Sequence, residues 1–216
     1  MTRTIALLCA LTLGPLGVAE ASPPTPLFEL EAAALQAEGS DGTEEVEVLF
    51  EEHRWDLDAQ GRWTQIWRRR FVVRSEKAAQ GMAMLEQPWV PERESRPEIR
   101  ARVVDHGGRL WTADPSSFQE AVDTGDDPNI VQDTRTIRVP LPGMAPGSVI
   151  EQEVVTREKV SLSRAGRALL LPPFLGLPTR VHRLVVSAPR GMGLHSTQPS
   201  HVTVTTTEVD GREELL

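Results

Sequence analysis

The chain has 216 residues, 39% of them hydrophobic, and a net charge of −8 from 23 Lys+Arg against 31 Asp+Glu. That length can bury one sizeable core without staples, and the acidic balance argues against nucleic acid, whose binding depends on neutralising phosphates. A single cysteine, Cys9, leaves no partner for a disulfide within the chain.

The N-terminus has the three-part layout of a secretory signal. Arg3 supplies the positive start, Thr4 to Leu13 is apolar through Leu7, Leu8, Leu11 and Leu13, and Ala19-Glu20-Ala21 offers the small residues of a cleavage site. Gly14 and Pro15 break the apolar run well short of the about 20 residues that a bilayer span requires. Cleavage after Ala21 is therefore expected, with an exported product, periplasmic or extracellular, and no transmembrane anchor. Cys9 comes too early, and without a small residue before it, for a lipoprotein signal. Its removal would leave no thiol, and so neither a thiolate nucleophile nor a Cys-ligated metal.

Residues 22–44 read as a Pro-rich spacer (Ser22 to Pro26) and one short helix. Leu27, Leu30, Ala34 and Leu35 fall near helical spacing over Leu27 to Ala37, and Gly39 ends the run. From Glu45 the period changes to two, which opens a β domain spanning residues 45–216. Val46, Val48 and Phe50 fall at a period of two among glutamates, then the phase shifts to His53, Trp55 and Leu57, which predicts a bulge near Glu51 and Glu52. Asp58-Ala59-Gln60-Gly61 turns the chain into Trp63, Trp67, Phe71 and Val73, completing a long hairpin. Trp63 and Trp67 share a face that Phe71 and Val73 continue, so core packing is favoured over an exposed stacking platform. Arg68-Arg69-Arg70 alternates between faces and reads as a solvated strand surface.

Ser75 is a helix cap for a turn or two before Leu85. Pro88, Pro91 and Pro97 mark a loop. Ile99, Ala101 and Val103 form a strand that returns through Asp105-His106-Gly107-Gly108 to Leu110 and Trp111. Thr112 to Asn129 is polar and irregular. Ile137 and Val139 lie on a strand that Pro140 stops, Leu141 to Gly147 is a turn, and Val149 to Thr156 is the returning strand. Ser161 to Pro178 reads as an extended crossing segment. Val181 to Ser187, Val202 to Thr206 and a stretch after Asp210-Gly211 complete the set, the chain stopping as if inside a strand. Many short strands with little helix predict a mostly β fold: an antiparallel β-sandwich, or an open barrel, with a short N-terminal helix.

This layout resembles a bacterial family of exported domains of unknown function that precede transglutaminase-like domains. The matching features are the hairpin Val46–Leu57/Arg62–Val73, the Ile99-Arg100-Ala101-Arg102-Val103 strand with its Gly107-Gly108 turn, and the run Val139 to Glu151. That last run carries Pro142, Gly143, Pro146, Gly147, Ile150 and Glu151, similar to the family's Pro-Gly turn followed by an Ile-Glu pair. The segment from Leu177-Pro178 through Pro189 is the final match. The resemblance implies a possible C-terminal transglutaminase-like domain, or a polypeptide or cell-wall partner, with the motif residues structural. It departs from the pattern where Gln152, Glu153 and Val154 stand in place of an early aromatic.

Candidate chemistry is sparse. His53, His106, His182, His195 and His201 show no metal-ligand spacing, although His195 and His201 flank a turn around Pro199. The Asp123 to Asn129 loop, with Asp126 and Asp127, lacks the regular spacing of a calcium loop. No G-x-S-x-G elbow accompanies Ser148. Glu151 stands in an apolar strand, where pairing with an arginine such as Arg138, or with turn amides, is the favoured account. The expectation is a non-catalytic module with no cofactor. The alternative is a small periplasmic ligand-binding or hydrolytic protein using Glu151, the Asp126/Asp127 loop or the late histidines.

Overall fold

A computed structural model describes residues 27–40, 42–122, 133–161, 176–196 and 203–216. The expected signal segment and spacer, the Asp126/Asp127 loop, most of the crossing segment, and His201 lie outside the described residues.

The opening hairpin forms as its alternation predicts. Strand β1 (Val46–Leu57) pairs antiparallel with β2 (Trp63–Val73), and the phase shift falls between Val48 and Phe50, earlier than Glu51/Glu52. The Asp58 carboxylate closes the turn by accepting from the amides of Gln60 and Arg62, each at 2.9 Å. A short helix, α2 (Glu76–Gly81), follows, with Ser75 Oγ accepting from Ala78 N at 3.1 Å as the cap signal implies. Next come β4 (Glu98–Val104) and β5 (Leu110–Thr112), the second expected hairpin.

The remaining elements depart from the sequence reading in instructive ways. Strand β3 (Met84–Trp89) runs into the proline-marked loop, and Pro88 is accommodated because β3 is an edge strand. As far as Val122, the polar stretch after Thr112 holds a 3-10 turn, Pro115–Ser117, capped by Asp114, and β6 (Gln119–Val122). All four β6 residues are exposed, so no alternation marked it. Strands β7 (Arg135–Pro140) and β8 (Val149–Arg157) exist as expected but do not form a hairpin: β7 pairs with β3 and β6, β8 with β2 and β4. The Pro-Gly turn between them carries the chain from one sheet to the other. Strands β9 (His182–Pro189), β10 (Thr206–Val209) and β11 (Arg212–Leu215) follow, β10 starting later than Val202.

Among the described residues these strands make an eight-stranded sheet, β10-β11-β9-β1-β2-β8-β4-β5, and a three-stranded sheet, β3-β7-β6. All pairings are antiparallel except β1–β9. β8 and β9 therefore run in the same direction, which requires a crossover connection between them. The sheets pack as a sandwich rather than a closed barrel. Val48, Phe71, Val103 and Ile150 of the large sheet meet Leu85, Trp89, Ile137 and Val139 of the small one in a single core.

The opposite face of the large sheet is covered by helix α1 (Ala32–Ser40), which starts later than the Leu27 expected. Phe28 has a φ of 68°, a conformation that interrupts any helix through it. Its amide donates to Glu151 Oε2 at 3.0 Å and its ring lies 4.3 Å from the Arg100 guanidinium, so tertiary partners hold the segment out of helical geometry. Leu35 then packs on Leu49, Val72, Val104 and Val149. Gly39, read as the helix stop, lies inside the helix, where a Cβ would fall 2.5 Å from Val149 Cγ2.

Candidate functional site

The motif residues lie in the turn between β7 and β8 and at the start of β8. Gly143 has a φ of 73°, and a Cβ there would fall 2.5 Å from the Trp111 ring. Only glycine fits both the left-handed backbone and the close approach. The Gly147 amide donates to Val73 O at 2.7 Å, and Ser148 Oγ accepts from Ala145 N at 3.0 Å, which locks the turn. Pro142 and Pro146 flank it, and Ile150 is fully buried in the core.

Glu151 is fully buried and saturated. Its Oε1 accepts from Arg70 (Nε 2.8 Å, Nη2 2.7 Å), while Oε2 accepts from Arg102 Nε at 2.6 Å and from the Phe28 amide. The expected pairing with a strand arginine therefore occurs, but with Arg70 and Arg102. Arg138 lies in the other sheet and bonds Glu86 at 2.9 Å instead. Arg70, read as solvated, is only 2% exposed, and it also reaches Glu38. A second row runs parallel to this one: Arg183–Glu52–Arg68–Glu153–Arg100, with separations of 2.8 to 3.6 Å. Alternating charges on neighbouring strands thus neutralise one another across β9, β1, β2, β8 and β4.

The other face of β1 carries a group that the sequence reading did not assemble. Beyond the bulge, Glu51, His53 and Trp55 share the face of Trp67, and β9 places His182 beside Glu51. One ligand atom from each of Glu51, His53 and His182 lies within 4.8 Å of the others. Trp67 Nε1 donates to Glu51 Oε1 at 3.0 Å, and His53 Nε2 is 3.5 Å from the same oxygen. The His53 ring stacks on Trp55 and Trp67, with centroids at 5.6 and 6.0 Å. Burial pushes the Glu51 carboxyl up, but hydrogen bonds from His53 and Trp67 and the Arg69 charge outweigh it and hold it below the ordinary value. Burial lowers His182, with Glu51 opposing and His53 assisting. The only sequence signal was Glu-x-His on a strand, two same-face donors; the third is 129 positions away in the chain from His53 and follows from sheet order alone.

A cleft of about 440 Å³ lies at the hairpin end, lined by Asp56, Asp58, Arg62, Trp63, Arg157 and Glu158. Its charges are largely spent on neighbours: Arg62 bonds Asp58, Arg157 bonds Glu98, and Asp56 bonds Arg54. Trp63, expected in the core beside Trp67, is half-buried at this cleft. His195 is exposed, His106 touches the Gly147 turn, and the Asp126/Asp127 loop and His201 are outside the described residues.

A family model, a domain of unknown function with a solved structure (DUF3857), matches residues 59–215. No curated protein matches the chain. Among solved structures, a candidate protease from Parabacteroides distasonis ATCC 8503 is similar at 17% identity and a TM-score of 0.66, over 81% of this chain and 35% of that one. An M1 zinc metallopeptidase from Deinococcus radiodurans aligns over 81% of this chain and 39% of its own at 15% identity, with a TM-score of 0.37. The chain thus spans about a third of the length of the better-matching structure, and that likeness speaks for the fold alone.

Proposed function

Because the chain belongs to the DUF3857 family of domains of unknown function, we propose that it acts as an exported, non-catalytic β-sandwich module that holds a polypeptide. In this reading it works as a companion to a transglutaminase-like or other catalytic segment. The observation that carries the reading is the edge of the large sheet, which no other strand among the described residues covers. Strand β10 ends that sheet and is exposed at all four residues. Thr205 and Leu216 exchange both backbone hydrogen bonds, so by alternation the backbone groups of Thr206 and Glu208 point outward. An extended polypeptide can add there as a ninth strand. Saturation of Glu151 supports the non-catalytic half, since a carboxylate with four donors has no free lone pair aimed at a substrate.

Titration of the 15N-labelled protein with a reduced, alkylated, unfolded polypeptide tests it. Amide shifts confined to β10 and β11 are expected, and Glu208→Pro should abolish them, since it removes one outward donor while sparing the ladder to β11. Shifts elsewhere, or cleavage of the added polypeptide by the purified chain, would sink the reading. N-terminal sequencing of the exported protein checks the compartment: a start at Ser22 is expected.

A further inference from the structure

We propose that Glu51, His53 and His182 form a binding site for one divalent transition-metal ion, with Zn²⁺ the best fit. Two imidazoles and one carboxylate are a ligand set that zinc takes readily, leaving a fourth position open. Ca²⁺ and Mg²⁺ fit poorly because they take oxygen ligands. The three ligand atoms already lie within 4.8 Å of one another. Neighbouring ligands of a tetrahedral zinc are about 3.3 Å apart at its usual bond lengths, a contraction that rotation of the Glu51 and His182 side chains would have to supply.

The surroundings resemble a prepared site rather than a chance meeting. Trp67 Nε1 holds Glu51 Oε1 and so orients the carboxylate, the role that outer hydrogen bonds play around metals. Trp55 and Trp67 clamp the plane of the His53 ring. Nε2 is the His53 nitrogen that faces Glu51 Oε1, at 3.5 Å, while Nδ1 is buried with no hydrogen-bond partner among the described residues. Arg69 is the opposing feature: it lies across from Glu51 in register, stacked 4.8 Å over Phe71, and its charge weakens cation binding. The ion would clip β1 to β9, the pair made by the crossover, and so stabilise the sheet where its connectivity is longest.

The untagged full chain, freed of metal with chelator, is titrated with ZnCl₂ by calorimetry and with CoCl₂ by visible absorption. About one equivalent is expected to bind, with the intense cobalt bands of a four-coordinate site, and zinc should raise the thermal midpoint. His182→Ala should weaken binding at least tenfold and remove the thermal shift. Glu51→Gln, which keeps the Trp67 hydrogen bond, should do the same and guards against misfolding of the first variant. Arg69→Met, which keeps the packing on Phe71, should tighten binding. No saturable binding by the folded wild type overturns the proposal. So does zinc affinity that both ligand variants leave unchanged.

Discussion

Glu151 sits between Arg70 and Arg102 on adjacent strands, and all three are shielded by residues 27–40. Removing one partner of such a group leaves an uncompensated buried charge, whereas removing every charge does not. Glu151→Gln is therefore expected to cost about 3 kcal/mol or more in urea unfolding. The triple change Arg70→Met, Glu151→Leu, Arg102→Met should cost less than that single one. Glu47 allows a pH test. The hydrogen bond from Arg180 holds its carboxyl below the ordinary 4.5, partial burial opposes, and Arg74 adds to the lowering. A folded-state pKa below the unfolded one means stabilisation present above about pH 4.5 and lost as pH falls through the lowered value. Thermal midpoints of wild type and Glu47→Gln should differ at neutral pH and converge in acid.

Helix α1 shows how an element is chosen by its seat. Its sequence places a glycine where helix propensity favours alanine by about 1 kcal/mol. The sheet beneath is too close for a side chain: a Cβ on Gly39 would press on Val149 at 2.5 Å, and Val149 is itself buried. Overpacking of this kind costs about 1–3 kcal/mol, so Gly39→Ala should lower stability by about 1 kcal/mol net in denaturant titration. A rise would mean that helix and sheet are looser than described. The bulge in β1 was legible because hydrophobic phase is a local property. Its exact place was not, because Val48, Leu49, Phe50, Glu51 and Glu52 are all buried, on one face or the other. Strand β6 left no trace in the sequence because none of its residues is buried, and a strand without a buried face has no alternation to read.

At the scale of the whole molecule, the core joins both sheets, with Ile137 from the small one and Ile150 from the large one fully buried in the same cluster. Unfolding should accordingly be one cooperative transition, with tryptophan fluorescence and far-UV circular dichroism superimposing. Ile137→Ala should shift both probes together by about 2–5 kcal/mol; a separate early transition would show that the small sheet stands alone. The sequence by itself determined the mostly β class, the two hairpins, the capped second helix and the Pro-Gly turn. Each of those depends on residues within a few positions of one another. Only tertiary structure decided that β7 and β8 belong to different sheets, that β9 lies parallel to β1, and that Glu151 meets Arg70 and Arg102 rather than Arg138. The Glu51, His53 and His182 group belongs to that second set. Strand order is settled by which buried faces fit together across the whole chain, and periodicity along one strand carries no record of its neighbour.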